Sequence, residues 1–87
     1  MSRKFLIAAN WKMNGAITLV ETITETLGAV NCNADILICP PATLLNRFAA
    51  TRNFALGGQD ISAETAGAFT GQLSAELLKE AGAEFVL

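Results

Sequence analysis

The sequence predicts an α/β fold built as a parallel βαβαβαβ series, and three observations predict it. Short runs of consecutive apolar residues alternate with stretches in which apolar residues recur every three or four positions. The short runs carry almost no polar residue on either face, as strands buried on both sides do. Asn14-Gly15, Pro40-Pro41 and Gly82, which are turn formers and helix stops, separate the two kinds of stretch.

The first strand is predicted over residues 4–9, nearly all apolar after Lys4 and too short for a helix. Beyond Asn14-Gly15, the residues Ala16, Val20, Ile23, Leu27 and Val30 recur at steps of four and three and share one helical face, with Glu21 and Glu25 opposite. Thr18 followed by Glu21 matches a capping box, although several threonines make the local helix propensity modest. A polar turn at 31–33 leads into Ile36-Leu37-Ile38-Cys39, the second strand, which Pro40-Pro41 stops. Pro41 suits the first turn of the next helix, whose buried stripe is Leu44, Leu45, Phe48 and Ala49 and which ends at 51–53. Residues 54–58 read as the third strand. A third helix over 74–81 is expected to bury Leu73, Leu77 and Ala81, with Gly82 at its C-terminal cap. Phe85-Val86-Leu87 begins a fourth strand.

Composition narrows the function classes. The chain of 87 residues is 52% hydrophobic and 16% charged, more apolar than average soluble chains, which sit near 45–50% and about 25%. So short a domain has a marginal core; the apolar excess points either to oligomerisation or to a piece of a larger core. A net charge of −2 with scattered Lys and Arg provides no footprint for nucleic acid. No apolar run approaches the ~20 residues of a membrane span. Met1-Ser2-Arg3-Lys4 followed by Phe5-Leu6-Ile7-Ala8-Ala9 imitates a signal peptide, but Asn10 stops the run early, and a buried strand is the reading taken. Cys32 and Cys39 have no His or further Cys beside them, so they are read as reduced packing residues of a cytoplasmic protein, with no metal site.

Three βα units and a fresh strand imply a parallel sheet with right-handed crossovers. Periodicity leaves open whether the sheet is an open doubly wound one or a sector of a closed barrel. Two features favour the barrel. No Gly-rich phosphate loop follows the first strand, so the usual nucleotide fingerprint is missing. Residues 59–72 form a loop far longer than the ~2–6 residues usual after a strand, and barrel enzymes carry function on such loops.

Specific motifs sit at the strand ends and turns. Asn10-Trp11-Lys12-Met13-Asn14-Gly15 follows the first strand, Cys39-Pro40-Pro41 the second, and Gly58-Gln59-Asp60 the third. Gly67-Ala68-Phe69-Thr70-Gly71 lies in the long loop, and Leu78-Lys79-Glu80-Ala81-Gly82-Ala83 closes the third helix. In this order and spacing the chain resembles the N-terminal third of the triosephosphate isomerase family, and the fold this implies is an incomplete sector of a (β/α)8 TIM barrel.

The resemblance implies interconversion of dihydroxyacetone phosphate and glyceraldehyde 3-phosphate through an enediol(ate), with no cofactor and no metal. It implies Lys12 as the catalytic cation, and Asn10 with Lys12 as substrate contacts. Trp11 and Met13 would pack around that pair. It also implies a homodimer in which Gln59, Phe69, Thr70 and Gly71 meet the neighbouring subunit, Thr70 reaching towards the neighbour's Asn10 and Lys12. Read on its own, a lysine at a strand end is a solvated charge and an asparagine there a turn former; the motif reverses both readings. The chain departs from the family pattern at Asp60, where Asn is usual, and at Gln72, where an acid is usual, which removes one expected intersubunit ion pair.

The sequence contains no histidine. In that family an electrophilic histidine and a glutamate base do the proton chemistry, and the resemblance places both beyond Leu87. The 87 residues alone are therefore expected to fold weakly or self-associate and to be inactive. Two classes stay open at this point: part of a working isomerase, or a non-catalytic folding and assembly module that complements a C-terminal part. Coding sequence continuing past Leu87 would favour the first and a stop codon the second.

Overall fold

The computed structural model describes residues 3–31 and 33–87, so Cys32 lies outside the described residues. The chain alternates β1 (Leu6–Asn10), α1 (Ile17–Gly28), β2 (Asp35–Cys39), α2 (Ala42–Thr51), β3 (Ala55–Gly58), α3 (Ala75–Glu80) and β4 (Phe85–Val86). The strands form one sheet in the order β1-β2-β3-β4, with every neighbouring pair parallel. Leu6 to Asn10 pair with Asp35 to Cys39, and Gly57 and Gly58 with Phe85 and Val86.

Strand order and helix placement together decide between open sheet and barrel. Side chains alternate across a strand, and the alternation here divides cleanly. Ala9, Ile36, Ile38 and Leu56 face a core shared with Val20 of α1, Leu44, Leu45 and Phe48 of α2, and Leu78 of α3. All three helices thus cover one face of the sheet. A Cβ on Gly57 would meet Cys39 Sγ and Leu37 Cδ1, which places those residues together on the opposite face. No helix of the described residues packs there. A doubly wound sheet has helices on both faces and a reversal in strand order, whereas a barrel has sequential strands and helices outside only. The chain has the barrel pattern.

The result is a slab measuring 44 × 37 × 20 Å. Its radius of gyration of 13.8 Å exceeds the roughly 12 Å of a sphere-like domain of this length. Phe5, Leu6 and Ile7 at one edge and Phe85, Val86 and Leu87 at the other are largely exposed. Part of the apolar excess of the sequence therefore lies at the two open edges.

Helix α2 is the centre of the core. Leu45 and Phe48 are fully buried, and the Phe48 ring takes Trp11 and Phe54 edge-on at centroid distances of 5.5 and 5.7 Å. Helix α3 begins on Ser74, whose Oγ accepts the Leu77 N–H at 3.1 Å. It ends on Ala81 and Gly82, the latter with φ +109°. The N–H of Ala83 bonds the Leu78 carbonyl and that of Gly82 the Lys79 carbonyl. This crossed pair is a Schellman closure, which needs a left-handed residue at Gly82.

Three expectations are corrected. Helix α1 starts at Ile17 with Ala16 as its cap residue and no side-chain cap bond. Thr18 already lies inside the first turn, so the Thr18–Glu21 pairing cannot cap it, and Val30 falls beyond the helix and is exposed. In α3 the buried leucine is Leu78, 3% exposed, and not Leu77, 52% exposed. A helix of six residues offers too short a pattern to choose between adjacent leucines, and contact with β3 decides it: Leu78 lies against Gly58. The first strand, expected over residues 4–9, runs from Leu6 to Asn10, because the β1–β2 ladder begins at the Leu6–Asp35 pair and continues to the Asn10–Cys39 pair.

Candidate functional site

The polar residues singled out in the sequence gather where β1, β2 and β3 end. Asn10 closes β1, and its Oδ1 accepts the Lys12 backbone N–H at 2.8 Å. This is a side-chain-closed turn of the kind asparagine favours. Inside it Lys12 adopts φ +54°, and it is the only non-glycine residue with positive φ among the described residues. A left-handed backbone is uncommon outside Gly, Asn and Asp. It persists for a lysine only where the surroundings enforce it.

The enforcement comes from both sides of the residue. Besides the Asn10 bond to its N–H, the Lys12 carbonyl accepts from Gln59 Nε2 at 2.9 Å. The same Nε2 donates to the Cys39 carbonyl at 3.0 Å, and the Trp11 N–H reaches that carbonyl too, at 3.1 Å. The Asn14 side-chain amide closes the turn on the Trp11 carbonyl at 3.0 Å. One segment after β1 is thus tied to the ends of β2 and β3.

Trp11 is half-buried against Phe48 and anchors the segment from below. Met13, expected with Trp11 to pack around Asn10 and Lys12, is 96% exposed. Met13 follows the left-handed Lys12 outside β1, and the sequence expectation for it is corrected. Lys12 itself is exposed, and the two ion pairs among the described residues, Lys4–Asp35 and Arg52–Glu84, leave it out. An exposed ammonium on a fixed backbone can receive an anion.

Cys39 supplies a carbonyl to this junction while its thiol is buried. Burial raises the thiol above its ordinary pKa of 9.0, because the thiolate would be poorly solvated there. Reactive cysteines have the opposite environment, so Cys39 is a packing residue.

The long loop after β3 is tied at its base by the Ser62 N–H to the Leu73 carbonyl at 2.8 Å. At its tip the Gln72 N–H donates to the Phe69 carbonyl at 3.0 Å. The Phe69 ring lies over Gly67 and is 43% exposed, with Thr70 and Gly71 exposed beside it. Asn10, Lys12 and Gln59 therefore come together, whereas among the described residues no hydrogen bond or ion pair joins Phe69, Thr70 or Gly71 to them. The link from Gln59 to Lys12 is the contact that sequence reasoning missed. The Gly57-Gly58 pair precedes Gln59, and a Cβ on Gly57 would lie 2.7 Å from Cys39 Sγ.

Comparison with known proteins agrees with the fold. The triosephosphate isomerase family model matches residues 5–87. The chain is 51% identical over 90 residues to a triosephosphate isomerase of Ruegeria sp. (strain TM1040), covering 100% of this chain and 36% of the relative. It is 46% identical over 90 residues to that of Rhodopseudomonas palustris (strain BisA53), covering 94% and 36%. The crystal structure of triosephosphate isomerase from Bartonella henselae superposes with a TM-score of 0.82 at 39% identity, over 97% of this chain and 37% of that one. The chain thus spans about a third of the length of the curated relatives it matches. Sequential parallel strands with helices on one face, a pinned lysine after the first strand, and a family match along nearly the whole length lead to one assignment: the chain belongs to the triosephosphate isomerase family.

Proposed function

We propose that this chain forms the substrate-holding part of a cytoplasmic, homodimeric triosephosphate isomerase that interconverts dihydroxyacetone phosphate and glyceraldehyde 3-phosphate. The observation that carries the proposal is the left-handed Lys12, fixed through its N–H by Asn10 and through its carbonyl by Gln59. A backbone held at such a cost serves a side chain that must leave the sheet at one place. Its ammonium there opposes the phosphate dianion and the negative charge that grows on the carbonyl oxygen as an enediolate forms. A preorganised cation stabilises that charge more than water does, because nothing needs to reorient during reaction. Asn10 keeps its amide N–H groups for a substrate oxygen while its Oδ1 holds the turn. Phe69, Thr70 and Gly71 are proposed, with Gln59, as the surface that meets the second subunit. The exposed, uncharged loop tip supports this reading.

The test is a chimera in which residues 1–87 replace the matched stretch of the Ruegeria enzyme. The expected result is an active isomerase whose Lys12→Met variant loses on the order of 10²–10³-fold in kcat, the usual effect of removing one preorganised group facing developing charge. A Lys12→Met chimera with unchanged kcat and KM would overturn the proposal. The 87 residues alone, which contain no histidine, are expected to show no turnover above the buffer rate.

A further inference from the structure

Gln59 sits at the end of β3, in the position after Gly58, and its side chain is half-buried. A primary amide carries two N–H donors on one planar nitrogen. Here that nitrogen reaches two carbonyls on two other segments, Lys12 at 2.9 Å and Cys39 at 3.0 Å. The Cys39 carbonyl is also the acceptor for the Trp11 N–H. Gln59 therefore closes a ring of bonds through β3, the end of β2 and the turn after β1, and the left-handed residue lies within that ring. Asparagine would be one methylene too short to span both acceptors, and an aliphatic side chain would leave the Lys12 carbonyl without this donor and the Cys39 carbonyl with the Trp11 N–H alone.

We infer that Gln59 is a positioning residue for Lys12: its amide holds the Lys12 peptide in the left-handed conformation and so sets where the ammonium stands. This rests on the proposed role of Lys12, and it assigns to Gln59 an intrachain task distinct from the subunit contact proposed above. Without the amide, the Lys12 peptide is free to turn towards the ordinary right-handed or extended regions, which moves the ammonium by more than an ångström. Displacements of that size cost about 100-fold in rate where a group must be aligned with a reacting atom.

The experiment uses the same chimera. Gln59→Met, which keeps the length and removes the donors, is expected to lower kcat/KM between about 10- and 100-fold. In the same variant, hydrogen exchange at the Lys12 backbone N–H should accelerate at least tenfold, while that at the Phe48 N–H in α2 stays at its parent rate. That local pattern separates positioning from general loosening. A kcat/KM within twofold of the parent would overturn the inference, and so would equal acceleration at Lys12 and Phe48. If Gln59→Met does not fold, Gln59→Asn takes its place, and the same two results support or overturn the inference. Lys12→Met run in parallel distinguishes the failures. An inert Lys12→Met beside a normal Gln59→Met sinks this inference alone, whereas a fully active Lys12→Met sinks the reading on which it rests.

Discussion

Gly82 lies so close to Ala49 that a Cβ built on the glycine would stand 2.5 Å from the Ala49 Cβ. The end of α3 is thereby seated directly on α2, and the position also requires φ +109°. Gly82→Ala meets both obstacles, a left-handed backbone and a clash with a packed helix. It is expected to destabilise the chimeric barrel by about 2–4 kcal/mol. Ala49→Gly in the same background should recover part of that loss by removing the clash but not the backbone cost. Urea unfolding midpoints of the two single variants and the double variant check this.

The helix starts give opposite predictions. Ser74 is 7% exposed and caps α3, so Ser74→Ala should cost about 1 kcal/mol, towards 2 because the site is buried. Helix α1 has only Ala16 at the equivalent place. Ala16→Asp is expected to add about 0.5–1 kcal/mol, since it supplies both a cap acceptor and a negative charge at the helix N-terminus. Thermal denaturation distinguishes the two signs.

At Lys12 stability and function should separate. Its left-handed backbone suits glycine, so Lys12→Gly should be more stable than Lys12→Ala by about 1 kcal/mol. Both variants should be equally impaired in turnover, because both lose the ammonium. Equal stabilities would mean that residue 12 relaxes once its side chain is removed.

Burial of Cys39 makes a prediction about alkaline pH. Its folded pKa lies above the ordinary 9.0, so below that value the thiol is protonated in both states and its contribution is constant. Above about pH 9 the unfolded chain loses the proton first, and the contribution to stability falls as pH rises towards the folded pKa. In a Cys32→Ser background, the native residue should show a steeper loss of stability above pH 9 than Cys39→Ala. Parallel curves would contradict the prediction.

Much of this architecture was legible because it is written in local pattern. The apolar runs ending in Cys39-Pro40-Pro41, and the Leu44, Leu45 and Phe48 stripe, specify β2 and α2 without reference to the rest of the chain. The same holds for Gly82 after α3. Failures occurred where a neighbour distant in sequence decides. Thr18 and Glu21 satisfy a capping pattern, yet the helix begins one residue before Thr18. Leu77 and Leu78 are equivalent by composition until Gly58 leaves room for one of them. Asn10 and Lys12 stood out as a motif, but the partner that closes their turn is Gln59, 47 residues beyond Lys12. No periodicity reports such a bond. The motif Gly58-Gln59-Asp60 marked Gln59 as a residue of the site, but as a contact of the long loop and the second subunit and not as the partner of Lys12.

Trp11, the single tryptophan of the chain, stands with its ring edge-on to Phe48 and its neighbour in sequence is Lys12. The molecule therefore carries its own optical gauge. Its indole emission follows the docking of the strand end onto α2 and is distinct from the far-ultraviolet signal of the helices. A variant that loosens the lysine turn yet leaves the helices intact would shift the first and spare the second.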